Sequence, residues 1–419
     1  MLNFLWYFNL ILGISLFVFS IPQFLYFIVG FFLHIFKRKK VVYECKNHKF
    51  AILIPARNEE IVIKNLIDSL NKQNYPRELF EIFVIADNCT DKTKNVSLEA
   101  KANVIEIFNT ELIGKSYALD YAIKKISNMS QNMEKPYDAY IVFDADNVVD
   151  KDFLKYMNIE YSKGYKVVTS YRTAKNFNSS LIAGISGLLF VRESIFLQRP
   201  RKTLKLNCSI SGTGFLVDAK LLNNEWKYNL LTEDIELSTD MVIKGIKCGY
   251  AKDAITYDEQ PEDIKTFYKQ RIRWAKGFLQ VFGKYSCGLL SKFIRSLSAI
   301  DFFTFIFPLT GLIVLGLLVN LTFMTVGYIS NDINLGNAGL FEIIKTIVII
   351  YLISFFMLFT TTILEWNKLK APFYKKILYI FISPLAVFIY AIIFIIALFK
   401  RKVIWTQIKH TSNQNIDQM

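Results

Sequence analysis

From Phe4 to Phe36 the chain carries no Asp, Glu, Lys or Arg and is dominated by Leu, Ile and Phe. That run exceeds the roughly 20 apolar residues needed to cross a bilayer as a helix. A cleaved signal peptide has a shorter apolar core and a small-residue cleavage site, and neither is visible, so an uncleaved span is predicted. Lys37-Arg38-Lys39-Lys40 follows at once and places the span's C-terminal end in the cytoplasm. Three more stretches of spanning length come late in the chain: Phe302–Ile329, Ile343–Leu364 and Ile377–Phe399. Basic residues flank the third on both sides, Lys368 to Lys376 before it and Lys400-Arg401-Lys402 after it. The positive-inside rule cannot satisfy both loops at once. Either one stretch is re-entrant or interfacial, with Pro384 as its weak point, or the N-terminal run is a tight hairpin. A mean hydropathy of +0.29 is too apolar for a soluble protein of 419 residues. The expected division is an anchor over 1–40, a cytoplasmic domain over 41–290 and a membrane region over 291–419.

Between the apolar runs the pattern changes to alternating strands and helices. Phe50–Ile54 reads as a buried strand, and Glu60–Gln73 as a helix with Ile61, Ile63, Leu66, Ile67 and Leu70 at helical spacing. Further strands are predicted at Phe80–Ile85, Asn103–Phe108 and Tyr140–Phe143, with a helix over Lys115–Ile126. This order implies a parallel sheet with ligands at the C-terminal ends of its strands. No G-x-G-x-x-G or Walker pattern follows any strand, which weighs against dinucleotide or P-loop chemistry. Five cysteines stand far apart with no C-x-x-C, and three histidines (His34, His48, His410) are scattered. A zinc site, a histidine metal site and a His-based triad are therefore not expected, and the main domain is read as reduced and cytosolic. The net charge of +14 fits basic loops beside spans and an anionic lipid or substrate. No nucleic-acid-binding pattern accompanies it.

The chemistry concentrates where strands end. Asp144-Ala145-Asp146 follows the strand Tyr140–Phe143, and two carboxylates at i, i+2 can both reach one hard divalent cation. An isolated D-x-D is usually no more than a polar turn. Here it has company. Asn58-Glu59 follows the first strand and Asp87 the second. Gly114-Lys115 opens a helix, where free N–H groups and the positive dipole end suit a diphosphate. Thr232-Glu233-Asp234 precedes the helical pattern Leu237–Ile246; it could simply be a helix start, but Asp234 is also a candidate base for an acceptor hydroxyl. Gln270-Arg271-Ile272-Arg273-Trp274 places Gln270, Arg273 and Trp274 on one helical face. A guanidinium suits a leaving diphosphate and an indole the apolar face of a sugar. A lipid-facing amphipathic helix explains the same stretch without chemistry.

In this order, these segments resemble the membrane-embedded inverting family 2 glycosyltransferases, which include the cellulose, hyaluronan, chitin and poly-N-acetylglucosamine synthases. The resemblance covers about Phe50 to Lys284. It implies a GT-A α/β domain flanked by transmembrane helices, and a UDP-sugar donor held with Mg²⁺ or Mn²⁺. It assigns Glu59, Asp87 and Lys115 to the donor, Asp146 and Asp144 to the metal, and Asp234 to general base catalysis. Arg273 falls to the donor diphosphate, Gln270 and Trp274 to the acceptor, with Gly212 and Thr213 of Ser211-Gly-Thr-Gly-Phe215 on the acceptor-side loop. That loop lacks the Phe-Phe-Cys-Gly run of the cellulose synthases, which argues against cellulose.

The implied reaction is inverting transfer at the cytoplasmic face of the cell membrane. A growing β-linked polysaccharide is one acceptor and a membrane lipid the other; a non-catalytic transporter or scaffold is a third reading, opposed by the full set of acids. No nucleic acid is expected as a partner.

Overall fold

The computed structural model describes residues 1–36, 45–109, 111–131, 133–401, 403 and 414–418. The predicted anchor signal Lys37–Lys40 lies outside the described residues.

Among the described residues, eight strands form one sheet: β1 (Phe50–Ala56), β2 (Phe80–Asp87), β3 (Asn103–Ile107), β4 (Ala139–Val142), β5 (Val148–Val149), β6 (Val167–Ala174), β7 (Phe215–Asp218) and β8 (Cys248–Asp258). Their order is β3-β2-β1-β4-β7-β6-β8-β5. The first four strands are parallel, as expected. The sheet as a whole is mixed, which corrects the parallel expectation: β7 runs antiparallel to both β4 and β6. The reversal has a consequence for the site. It brings the loop before β7 to the same edge as the C-terminal ends of β1, β2 and β4, with Val142 opposite Phe215.

Alternating side chains of β1 explain the two layers around the sheet. Phe50, Ile52 and Ile54 pack with Ile63, Leu66, Ile67 and Leu70 of the helix Ile63–Asn71 and with Phe153, Leu154 and Met157. Ala51 and Leu53 face Leu119, Ala122, Ile123 and Ile126 of the helix Lys115–Gln131 on the other side. The helix expected from Glu60 starts three residues later, because the segment from Glu59 to Val62 closes as a turn.

Among the described residues, five helices are long and apolar enough to cross a membrane: Leu2–Ile35, Leu181–Thr203, Leu309–Ile329, Ile333–Leu364 and Phe373–Phe399. The chain is therefore described as a membrane protein. The stretch expected as one span from Phe302 is divided into Leu297–Ile306 and Leu309–Ile329. Pro308 causes the break, since it disfavours a helical residue before it, and Phe307 is extended at φ −60°, ψ 134°. Pro384 sits in a 3₁₀ turn, Ser383–Leu385, between the two halves of the last helix.

The helix Leu181–Thr203 was not anticipated. Most of it is buried inside the protein. Leu188, Val191, Ile195 and Phe196 pack with Tyr171 and Tyr250 of the sheet on one side and Phe27, Leu358 and Tyr379 of apolar helices on the other. Gly30 permits the close approach: a Cβ there would stand 2.6 Å from the Ile195 carbonyl oxygen.

Candidate functional site

The D-x-D turn is held from below. Asp144 N–H donates to Thr213 Oγ1 at 2.9 Å, and Thr213 in turn hydrogen-bonds Asn147. Thr213 is 1% exposed. Its hydroxyl is engaged by the D-x-D turn, and of the Gly212–Thr213 pair expected on the acceptor side, Gly212 lines the cavity. Asp144 Oδ1 pairs with Lys115 Nζ at 2.7 Å, and that ammonium also donates to the Gly212 carbonyl at 2.7 Å and lies 3.3 Å from Glu233. Burial opposes the Lys115 charge, but Asp144 and Glu233 outweigh it and hold the ammonium above its ordinary pKa. Against the same burial, Lys115, Arg172 and Arg273 hold the Asp144 carboxyl below the usual carboxylate range.

Asp146 accepts from the Glu259 N–H at 3.1 Å and from Asn147 Nδ2 at 3.1 Å. Lys175 donates to the Asp146 carbonyl at 2.9 Å and pairs with Glu259 at 3.3 Å. At the ends of β1 and β2, Asn58 and Asn88 take left-handed backbone at φ 54° and 50°, which asparagine tolerates better than most residues. Asn58 Oδ1 accepts from Thr90 N–H at 2.7 Å, tying the two strand-end loops together. Asp87 accepts from the Gly114 N–H at 3.3 Å. The helix start expected to meet a diphosphate is thus already engaged by a carboxylate.

Asp234 stands in the first turn of the helix Glu233–Ile243. Thr232 precedes it without making a side-chain cap, and its hydroxyl is buried with no partner among the described residues. What determines this turn's surroundings is Gly277: a Cβ there would lie 2.5 Å from Thr232 Cγ2 and 2.9 Å from its backbone nitrogen. The missing side chain lets the helix Ile264–Leu290 close over the turn, carrying Gln270, Arg273 and Trp274 toward it. Asp234 also borders the β7 loop, since a Cβ on Gly212 would lie 3.8 Å from its Oδ2 and 3.2 Å from Arg172 Nη1. Burial, then Glu233 beside it, pushes the Asp234 carboxyl up to about 7.

Glu59, Asp87, Lys115, Asp144, Asp146, Gly212, Asp234, Gln270, Arg273 and Trp274 all border one cavity of 1510 Å³. Several wall residues were not expected from the sequence. Arg172, in the middle of β6, donates through Nε to Asp258 at 2.9 Å and through Nη1 to the Ser211 carbonyl at 2.6 Å, with Phe190 3.9 Å beneath it. Burial pushes Asp258 up to about 6 even with that arginine beside it. Asp258-Glu259 at the end of β8 repeats the strand-then-acid pattern of β2 and Asp87, and that pattern could have found them. The cavity continues past these groups to Phe19 and Gln23 of the N-terminal helix and to Thr310, Met357 and Phe394 of apolar helices.

The donor set suits a hard cation, since aspartate oxygens are the ligands Mg²⁺ and Mn²⁺ take. Among the described residues no group of three or more His, Cys, Asp or Glu converges to hold a metal ion by itself. The charge does fit one. Burial, then Asp146, Glu259 and Asp144, pushes the Glu59 carboxyl up to about 9, an accumulation of negative charge that a cation would relieve.

The profile of Glycosyltransferase like family 2 matches residues 48–277, more than half of the chain. The chain is 29% identical over 271 residues to a probable glycosyltransferase, YdaM, of Bacillus subtilis, covering 62% of each. It is 28% identical over 233 residues to a poly-beta-1,6-N-acetyl-D-glucosamine synthase of Staphylococcus aureus, covering 54% of each. The alignments thus span less than two thirds of these curated relatives' lengths. Among solved structures, the mannosyltransferase PcManGT from Pyrobaculum calidifontis, in complex with GDP-Man and Mn²⁺, is similar with a TM-score of 0.53 at 16% identity, over 95% of this chain and all of that one. That likeness bears on the fold, and the fold is GT-A. With the family profile spanning the D-x-D, T-E-D and Q-x-x-R-W segments, the chain belongs to glycosyltransferase family 2.

Proposed function

We propose that the chain transfers a sugar, with inversion, from a UDP-sugar to an acceptor that reaches the cavity from the side of the spanning helices. One observation carries this reading: Asp234, poised to ionise near neutral pH, shares a single cavity with the Lys115–Asp144 pair and Asp146. Asp234 takes the proton of an acceptor hydroxyl, and the freed oxygen bonds to the anomeric carbon as the bond from that carbon to the diphosphate breaks. A group with a pKa near the working pH suits this task. Lys115 and Arg273 offset the charge that grows on the departing diphosphate. Mg²⁺ or Mn²⁺, when bound at Asp146 and Asp144, would supply further charge neutralisation there. Glu59 and Asp87 contact the nucleoside side, and Gln270, Trp274 and Gly212 the acceptor side. The catalytic domain faces the cytoplasm.

Two acceptors fit. A growing β-linked polysaccharide is supported by the poly-beta-1,6-N-acetyl-D-glucosamine synthase relative. A membrane lipid is supported by the cavity's continuation to Phe19, Thr310, Met357 and Phe394. UDP release across a panel of UDP-sugars tests the donor, and the size of the labelled product separates the acceptors. No UDP release from any donor, with the protein folded, would overturn the reading.

A further inference from the structure

Arg271 lies two residues ahead of Arg273 and has no place in the chemistry above. It is 4% exposed, and its Nε and Nη2 have no acceptor among the described residues. Its guanidinium hydrogen-bonds the neutral Tyr390 hydroxyl, and aromatic rings enclose the rest, with the guanidinium 4.1 Å from the Trp274 ring centre, 4.9 Å from Phe267 and 5.7 Å from Tyr390. Arg201 is enclosed by rings in the same way, yet it has a carboxylate, Asp301, at 2.8 Å. Arg271 lacks the equivalent. Arg192, at the end of the helix Leu181–Glu193, borders the same cavity, and its Nε is likewise buried without an acceptor.

A cation removed from water and given no anion is costly to keep, so such a site is completed by an anionic ligand. Guanidinium favours phosphate and carboxylate, which accept its N–H groups in parallel. The position of Arg271 says which ligand. The cations that hold down Asp144 on the donor side, against its burial, are Lys115, Arg172 and Arg273. Arg271 instead stands against Tyr390, on the last apolar helix, where the cavity wall passes to Thr310, Met357 and Phe394. Anion recognition and apolar wall are therefore contiguous.

We propose that Arg271, with Arg192, receives the phosphate of a lipid acceptor. The lipid's apolar chain follows the wall toward Met357 and Phe394, and its hydroxyl-bearing head reaches Asp234. The role of that head rests on the function proposed above; the binding of the phosphate does not.

The test uses the full chain in detergent and three radiolabelled probes: short-chain phosphatidic acid, the diacylglycerol of the same chains, and inorganic phosphate. Phosphatidic acid is expected to bind at least ~10-fold more tightly than either of the others, the worth of a charge-assisted hydrogen bond. Arg271→Gln should weaken phosphatidic acid by ~10-fold or more and leave diacylglycerol unchanged. Arg271→Lys should recover part of the loss, and Arg192→Gln, on the cavity wall, gives a second reading should Arg271→Gln not fold. Unchanged phosphatidic acid affinity in a folded Arg271→Gln, or in Arg192→Gln if that is the variant left, overturns the proposal. So does inorganic phosphate binding as tightly as phosphatidic acid, which would mark a site for free phosphate or the donor. UDP affinity is measured on the same samples: absent UDP binding with arginine-dependent lipid binding intact would remove the proposed transfer and keep this site.

Discussion

Replacing Asp234 by Asn separates a catalytic carboxylate from a structural one through opposite effects on rate and stability. Folding raises this carboxyl from 3.8 to about 7, chiefly by burial and by Glu233. The folded chain therefore binds that proton more tightly than the unfolded chain. The group's contribution to stability is full below about pH 4, declines as pH rises to about 7, and is lost above it. The difference between the two states corresponds to at most about 4 kcal/mol. Asn cannot ionise, so Asp234→Asn should raise the melting temperature at about pH 8, by an amount equivalent to about 1–4 kcal/mol. The same variant should lower kcat by about 10²–10⁴-fold and leave UDP-sugar affinity nearly intact. In the unaltered enzyme kcat should fall about tenfold from pH 8 to pH 6 as the base takes up its proton. Glu233→Gln is the control, because the Glu233 carboxylate is engaged by Lys115 at 3.3 Å. Thermal melts and UDP release at both pH values decide the matter. Normal turnover in Asp234→Asn beside an inactive Glu233→Gln would refute the reasoning.

Asp146→Ala should abolish transfer with the protein still folded and membrane-bound, and EDTA should do the same reversibly with Mg²⁺ or Mn²⁺; full turnover in metal-free buffer would remove the metal assignment. Trp274→Ala should raise the acceptor KM more than the donor KM, since its ring borders the cavity beside Phe190 and Arg271; initial rates with each substrate varied show the split. Gly277→Val should displace the helix Ile264–Leu290 from the Asp234 turn, because even a Cβ would meet Thr232 at 2.5 Å. Its cost, about 1–3 kcal/mol for overpacking, should appear in melts together with reduced kcat.

The strand ends were legible because acids there follow β-branched or aromatic runs, as at Phe143-Asp144 and Ile85-Ala86-Asp87. The parallel half of the sheet followed from the strand–helix alternation. The reversal of β7 was not legible, because a strand's direction depends on which neighbour it meets and its four residues say nothing of that. Arg172 sits in mid-strand with no local pattern, and only the fold brings it to Asp258. Leu181–Thr203 escaped notice for a different reason: its Ser and Gly positions and its terminal charges lower its apolarity, and its burial is supplied by packing between two other layers. The roles assigned to the site residues come from the motif resemblance together with this geometry.

The helix Leu181–Thr203 also has a consequence for how the chain can be cut. It presents Phe196 and Ile195 to the N-terminal helix while Leu188 and Val191 share a core with β6 and β8. The sheet and the apolar helices are thus joined by one apolar seam. A fragment ending after Leu290 and starting after Phe36 would leave that seam facing water, and apolar faces of this kind drive association. The candidate site is tied through the seam to the apolar helices, so detergents that loosen those helices should lower turnover before they disturb the sheet itself.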